Sequence, residues 1–332
     1  MTTGVLEGLD DLGLEHFTVV SGKQSGGLIA DEMFGGTRFW LAVIIDTVKI
    51  LKKCILNKVS YIIVIPEYHL LSAFFVSQII GSKVIIYGAG TYSLKAFKKS
   101  SLLFKLARRR VLWRVMSEYT KKRISKYDNS VNLTVVGAGV GKKIYQEVQK
   151  IKNPKKAFDL IFVGNLKPRK GFKTLSSALD LFVGKHPDVN LNIIMPGGYT
   201  EGQTSSIREI LPTVNFYFPG VVSDCDLIKL YGTAKVNILL SHDIDDHFEG
   251  YGLVHREAMM SGTYTIGSLE SGNTDAILPE YGLSVDPNDV HGLVTILEEI
   301  FDNPPTVPIG SGFVQWKNVV ADMMVEGADA GN

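Results

Sequence analysis

Short β-branched runs alternate with helix-length segments along almost the whole chain, and this alternation leaves few folds open. Residues 61–65, 83–87, 110–116 and 132–136 are apolar runs of strand length, and 16–21 reads as another. Residues 39–56, 70–80 and the basic stretch 120–127 carry helical periodicity between them. Runs that are apolar throughout belong to strands covered on both faces. Parallel strands also need a crossover of about a dozen residues, usually a helix. The first half therefore predicts βα units on a parallel sheet.

A second series begins after residues 150–156, whose lysines and Asn153-Pro154 have the composition of a linker. Strand-like runs at 158–163, 189–195, 214–218 and 236–240 are separated by helical stretches at 172–182 and 224–233. A helix at 253–260 stops at Ser261-Gly262. The length of 332 residues fits two domains of roughly 150 each. The expectation is an α/β fold of two Rossmann-like β/α/β domains, 1–150 and 151–332, facing across a cleft onto which the strand C-termini open. The opening of the chain is the exception. Thr3-Gly4 leads into a helix-like stretch where such a domain begins with a strand, so the first strand of the N-terminal domain is read as missing. Gly137-Ala-Gly-Val-Gly141 follows a strand without a clean helix start behind it.

Composition narrows the class. Hydrophobic residues at 45% and charged residues at 21% describe an ordinary globular protein. Cys54 and Cys225, the two cysteines, make neither a disulfide framework nor a zinc-type cluster, which points to a reducing compartment. No basic region followed by an apolar core opens the chain, so no signal peptide is expected. The apolar runs at 39–45 and 70–80 fall short of the ~20 residues of a spanning helix. A cytoplasmic protein is expected.

The net charge of +1 conceals an asymmetry. Residues 1–150 hold 22 Lys and Arg against 11 Asp and Glu, and residues 151–332 hold 13 against 23. Twelve of the cations lie in 95–126 beside one acid, Glu118, interleaved with Leu102, Leu103, Phe104, Leu106, Leu112 and Trp113. This run is either a solvated basic face or a surface for a polyanion. Its mixture of apolar and basic side chains favours an anionic membrane surface, at the inner face. No nucleic-acid motif is present, and the acidic second half argues against a nucleic-acid partner.

The most specific chemistry lies in Glu249-Gly-Tyr-Gly-Leu-Val-His-Arg-Glu257-Ala-Met-Met-Ser-Gly262. Glu249 precedes the loop Gly250-Tyr251-Gly252, and Glu257 follows about one turn into the helix behind it. A helix N-terminus carries unpaired N–H groups and about half a positive charge, which suits a diphosphate. Glycines let the backbone approach a ligand without a Cβ clash. Glu257 can accept two hydrogen bonds from vicinal ribose hydroxyls, and Glu249 would face the sugar side. Asn165-Leu-Lys-Pro-Arg169-Lys170-Gly171 lies between a strand and a helix, so Arg169 and Lys170 can stabilise a departing nucleoside diphosphate without a metal. Each signal alone also reads as a solvated carboxylate, an ordinary loop or a basic turn. Together they suit a nucleotide sugar better than a hydride carrier or a peptide. In the first half, His69 and the run Gly88-Ala-Gly90-Thr-Tyr92 follow strands. His69, Gly90 and Tyr92 are candidates to meet the transferring sugar or the acceptor, with a structural role open for the single histidine.

Other chemistries fit less well. Asp243-Ile-Asp245-Asp246 contains an Asp-x-Asp like those that bind a divalent cation in another class of sugar transferases, but no further carboxylate or histidine spacing supports a metal. No metal and no cofactor are expected. No Gly-x-Ser-x-Gly elbow is present for a serine hydrolase. A dinucleotide-binding oxidoreductase would need Gly-x-Gly-x-x-Gly after a first strand and an acid about 20 residues later, and Gly137 to Gly141 meets neither condition.

On these motifs the chain resembles the family 4 glycosyltransferases, retaining enzymes of the GT-B architecture. The likeness covers most of residues 110–300. It includes Met116-Ser-Glu118, Val135-Val-Gly-Ala-Gly-Val140, Phe162-Val-Gly-Asn-Leu-Lys-Pro-Arg-Lys-Gly171 and Tyr217-Phe-Pro-Gly-Val-Val-Ser-Asp224. The Glu-x7-Glu segment, Ser271-Gly-Asn-Thr-Asp275 and Val285-Asp-Pro287 complete it. The resemblance implies transfer of a sugar from a nucleotide-sugar donor, with retention and without a metal, to a glycan or lipid-linked acceptor, in many members at a membrane. It implies that Arg169 and Lys170 hold the donor diphosphate, Glu257 the ribose and Glu249 the donor sugar. Gly250, Tyr251, Gly252, Leu253 and Val254 would contact sugar and phosphates through their backbone, with Gly164 and Asn165 beside them. Three features depart from the family pattern. Asn165 stands where an arginine is common, Tyr264 stands where a proline is usual, and the first strand with its Gly-Gly loop is missing. Tyr264 reads as a packing change, whereas Asn165 and the missing first loop raise an alternative, a catalytically impaired homologue that binds nucleotide sugars or serves as a partner subunit.

Overall fold

In the computed structural model the described residues are 2–16, 36–65 and 67–325. The chain divides into two compact units. Unit 1 is residues 1–138 with 316–332, and unit 2 is residues 139–315.

Unit 1 opens with helices α1 (Thr2–Asp11) and α2 (Gly36–Asn57). Strand β1 (Tyr61–Val64), helix α3 (Leu70–Ile80), β2 (Lys83–Gly88), α4 (Thr91–Lys98), α5 (Leu102–Arg109), β3 (Leu112–Val115), α6 (Glu118–Ser125) and β4 (Leu133–Val135) follow. The strands pair in parallel in the order β1-β2-β3-β4. Sequential order with right-handed crossovers puts α3, α5 and α6 on one face. The pleat agrees. Val84, Ile86, Trp113 and Val115 join a core with Leu71, Phe74, Phe104 and Ile124. The intervening Tyr87 and Arg114 turn to the other face. There the last described helix covers them: the Tyr87 ring meets Trp316 edge-on at 6.3 Å, and Arg114 donates to the Met323 and Val325 carbonyls. Helix α1 packs on the same last helix. A Cβ at Gly4 would lie 2.1 Å from the Trp316 ring and one at Gly8 2.7 Å from its backbone, so the two glycines permit the approach.

Unit 2 contains α7 (Lys142–Lys150), β5 (Phe158–Ile161), α8 (Phe172–Lys185), β6 (Asn192–Ile194), α9 (Glu201–Ile210), β7 (Asn215–Tyr217), α10 (Asp224–Thr233), β8 (Ala234–Ile238), α11 (Leu253–Met260), β9 (Tyr264–Ser268), α12 (Asn273–Ala276), β10 (Gly282–Val285) and α13 (Val290–Asp302). The last described helix, α14 (Trp316–Met324), belongs to unit 1. All six strands are parallel, in the order β10-β9-β8-β5-β6-β7. Helices cover both faces. Leu160 packs with Leu175 and Leu179 of α8 and Leu293 and Leu297 of α13. Ile161, its neighbour, packs with Val148 of α7, Tyr231 of α10 and Ala258 of α11. The order reverses between β5 and β8, and open α/β sheets bind ligands at the carboxyl ends of strands at such a switch.

Several expectations need correcting. The units divide at Ala138 and Gly139 rather than at 150, and residues 316–325 return to unit 1, because contacts with Tyr87 and Arg114 hold the tail there. Residues 150–156 are not a free linker. Lys156 Nζ donates to the carbonyls of Ala234 at 2.8 Å and Gly262 at 2.6 Å, and burial pushes its ammonium down to about 8. Gly141 is itself the N-cap of α7, a helix start hidden by the lack of a capping side chain. Two of the twelve cations in 95–126 are buried rather than on the surface. Arg108 donates to the carbonyls of Ala96 and Lys99 and pairs with Asp128 at 3.6 Å, and Arg114 is the residue bound to the tail. The strand read at 16–21 lies, apart from His16, outside the described residues. Among those described, β1 is the first strand.

Candidate active site

The loops after β5 and β8 meet at the switch. After β5 the chain makes a 3-10 turn, Pro168–Lys170, ended by Gly171 at φ 71°. A Cβ on Gly171 would fall 1.9 Å from the Leu240 carbonyl oxygen, so only glycine lets this turn rest on the end of the β8 run. The His242 N–H donates to the Arg169 carbonyl at 2.7 Å and joins the two loops. Their side chains then converge on one carboxylate. Lys170 Nζ lies 2.5 Å from Glu249 Oε2, Ser241 Oγ 3.2 Å and Arg169 Nη1 3.4 Å. Burial alone would push the Glu249 carboxyl up. Lys170, hydrogen-bonded to it, and Arg169 outweigh that effect and hold it below the usual carboxylate range.

Gly250-Tyr251-Gly252 runs from Glu249 into α11, with Gly252 left-handed at φ 80° as the N-cap and no side chain capping the helix. Leu253 and Val254 form its first turn, whose N–H groups have no capping side chain, the arrangement of helix starts that take anions. The loop rests on the segment before α12. The Gly272 N–H donates to the Glu249 carbonyl at 3.0 Å, and a Cβ at Gly272 would collide with the Gly250 backbone at 2.3 Å. Glu257 lies one turn further on, with Tyr231 Oη 3.5 Å from its Oε2. Burial, with Asp224 adding, pushes the Glu257 carboxyl up to about 7. The Gly164 carbonyl accepts from the Tyr199 hydroxyl at 2.5 Å, and Asn165 Oδ1 accepts the Lys167 N–H within its own exposed turn.

The structure therefore brings Arg169, Lys170, Glu249 and the glycine loop together, with Glu257 along the same helix. His69, Gly90 and Tyr92 belong to unit 1, beyond the C-terminal ends of β1 and β2. His69 Nδ1 is 3.1 Å from Asp46 of α2, and burial lowers the His69 pKa against the opposing pull of Asp46. Gly90, at φ 140°, is the N-cap of α4, and Tyr92 is exposed in its first turn.

Three features escaped the sequence reading. Ser241 is one, a single serine at a strand end. Glu67 is another: its carboxylate accepts the Ala89 N–H at 2.9 Å and the Ser93 hydroxyl, so it anchors the loop that carries Gly90. The third is a buried cluster beneath the glycine loop. His255 Nδ1 lies 2.6 Å from Thr265 Oγ1 and 3.3 Å from Asn237 Nδ2. Asn273 Nδ2 donates to the Leu239 carbonyl at 3.2 Å, and a Cβ on Gly252 would fall 2.4 Å from Asn273 Oδ1. Burial pushes His255 down to about 4, so the ring is neutral. Asn237 and Thr265, polar residues inside apolar strand runs, were the available signal.

Solved structures share this fold. HepE from Anabaena, solved with UDP and glucose, aligns with a TM-score of 0.57 at 16% identity over 87% of this chain and 78% of that one. A glycosyltransferase from Rickettsia africae aligns with a TM-score of 0.61 at 16% identity, over 96% and 81%. The fold is thus the GT-B class, with two Rossmann-like domains. Residues 143–307 match the family of glycosyl transferases group 1. This match places residues 143–307 with the family 4-like glycosyltransferases.

Curated relatives include a GDP-mannose-dependent monoacylated alpha-(1-6)-phosphatidylinositol monomannoside mannosyltransferase of Corynebacterium glutamicum, 29% identical over 42% of this chain and 36% of that protein. A glycogen synthase of Mycobacterium tuberculosis is 29% identical over 44% and 34%. The alignments thus span about a third of the length of these relatives.

Proposed function

We propose that the chain is a retaining, metal-independent glycosyltransferase that moves a sugar from a nucleotide-sugar donor to a glycan or lipid-linked saccharide. The observation that carries this reading is the pairing of Lys170 and Arg169 with Glu249 at the switch point, beside the uncapped N-terminus of α11. The donor diphosphate takes Lys170, Arg169 and the first-turn N–H groups of α11, and Glu257 accepts from the ribose hydroxyls. Glu249, freed from the cations, accepts from a hydroxyl of the sugar. When the bond from the sugar to the diphosphate breaks, its electron pair goes to the phosphate oxygen, and the two cations stabilise that charge. His69, Gly90 and Tyr92 of unit 1 are assigned to the acceptor side. An anionic membrane, at its inner face, presents a lipid-linked acceptor, and no nucleic-acid partner is assigned.

Support comes from HepE, solved with UDP and glucose, and from a mannosyltransferase relative whose name carries a phosphatidylinositol acceptor. Exposed Asn165, used within its own turn, favours the second reading, a nucleotide-sugar-binding homologue without turnover. Thermal shift against nucleoside diphosphates and their sugars tests both. A ligand at 100 times its Kd adds about 2.7 kcal/mol of stability. Stabilisation that is lost in Lys170→Ala, together with sugar release from one donor, is the expected result. Stabilisation without any sugar release or transfer selects the binding homologue, and no stabilisation by any nucleotide removes the donor site.

A further inference from the structure

Helix α2 carries more apolar surface than its packing uses. One narrow strip faces the rest of unit 1. Val43, Asp46 and Cys54 are buried there, Ser72 Oγ donates to the Val43 carbonyl at 3.3 Å, and Asp46 lies 3.1 Å from His69. The opposite side is apolar and open. Leu41, Ile44, Val48 and Ile55 are each 59–61% exposed, and Ile45 and Leu56 widen the stripe. Their spacing of three and four residues keeps them on one side of the helix, over about 22 Å at 1.5 Å per residue. Apolar stripes of this extent mark interaction surfaces.

The charges on α2 decide the occupant. Lys49, Lys52 and Lys53 are exposed on or beside the stripe, and Asp46, the one acid between residues 40 and 57, is on the buried side. A second copy of the chain across a two-fold axis would set these lysines against each other with no exposed α2 acid to pair them. A bilayer interface accepts both features. Apolar side chains enter the acyl boundary while lysines reach phosphate headgroups. No helix among the described residues is long and apolar enough to cross a membrane, which leaves a helix lying in the interface plane.

We propose that α2 docks unit 1 on an anionic phospholipid surface, with its stripe of Leu41, Ile44, Val48 and Ile55 inserted and its lysines on the headgroups. This rests on the membrane reading above and adds to it. The inserted element is α2, ahead of the basic run at 95–126.

The protein carries its own reporter. Trp113 and Trp316 are buried at 0% and 4% exposure, whereas Trp40, on α2, is 43% exposed. Binding is measured by co-sedimentation and tryptophan emission with vesicles of phosphatidylcholine alone and with added phosphatidylglycerol. The intact chain is expected to sediment with the anionic vesicles at low salt and to shift its emission to the blue. Replacing Leu41, Ile44, Val48 and Ile55 together by serine should lower vesicle affinity about tenfold or more. Lys49→Glu with Lys52→Glu and Lys53→Glu should remove the preference for anionic lipid. Both variants change exposed side chains, and a circular-dichroism melt matching the parent confirms their fold.

Undiminished sedimentation of both variants overturns the proposal while leaving the membrane reading intact. Failure of the parent chain to sediment with either vesicle removes both. A dimer in light scattering that the serine variant dissolves would assign the stripe to a second copy of the chain and also overturn the proposal.

Discussion

The two units hold their buried and half-buried cations in opposite ways. In unit 1, Arg108 is held by the carbonyls of Ala96 and Lys99, and Arg114 by those of Met323 and Val325. These acceptors are backbone atoms of the same unit that no ligand can displace, and Asp128 adds a side-chain partner for Arg108 at 3.6 Å. In unit 2, Lys170 and Arg169 meet at the side chain of Glu249, a single carboxylate on the loop entering α11. A diphosphate offers such cations more negative charge than a carboxylate does. A cation thus ties a tail to a sheet in one unit, and in the other, on the function proposed above, it is held for an anion. What separates them is that Arg108 and Arg114 are each anchored on two backbone carbonyls, whereas Lys170 and Arg169 share one carboxylate side chain.

Lys170→Ala should separate the two units most. Sugar transfer should fall by about a hundred- to a thousandfold, the cost of losing one fixed donor to a developing charge. Steady-state kinetics with the donor found by thermal shift gives the number, and a change below threefold would place the leaving-group charge elsewhere. Arg114→Met should have the opposite profile. It leaves the Met323 and Val325 carbonyls without their donor and should cost about 2–3 kcal/mol in a urea melt. Nucleoside diphosphate affinity, read by calorimetry on unit 2, should stay unchanged.

Glu249→Gln tests the exchange directly. Removing the internal counter-charge should tighten nucleoside diphosphate binding severalfold, with less competition for Lys170 and Arg169, while transfer falls at least about tenfold. Weaker diphosphate binding in this variant would mean that Glu249 organises the cations rather than competing for them.

The smallest effect concerns pH. The Glu257 carboxyl sits at about 7, raised from its ordinary value by burial. Its folded pKa therefore lies above the unfolded one, and the sign follows. The stability of the neutral form is present at low pH and is lost as pH rises through about 7. Above that point the buried carboxylate is poorly solvated until ribose hydroxyls donate to it. Donor affinity should therefore rise between pH 6 and 8 by up to about tenfold, with proton release. Glu257→Gln should flatten the profile in calorimetry run in two buffers, and an unchanged slope would remove Glu257 from the ribose.

Much of this was legible in the chain. The alternation of apolar runs and helical segments carries the β/α class, because side-chain periodicity is a local property. Asn165-Leu-Lys-Pro-Arg-Lys-Gly171 and the Glu-x7-Glu segment stood out because a turn and a helix start also have local signatures. Helices α4 and α5, eight residues each, were lost inside the basic run, where charge masked a short apolar period. The capping box at Thr200 and Gln203 was a legible start for α9 that went unread.

By itself, then, the sequence determined the fold class and singled out the residues proposed to hold a nucleotide sugar. Tertiary structure decided the rest. It set the unit boundary at 138 and 139, with the tail returned to unit 1. It buried Arg108 and Arg114 while leaving Leu41, Ile44 and Val48 of α2 exposed. It paired Lys170 with a glutamate 79 positions away. The physical reason is common to all three. Burial and ion pairing depend on what lies across space, and nothing within one helical turn or one strand of Lys170 names Glu249 as its partner.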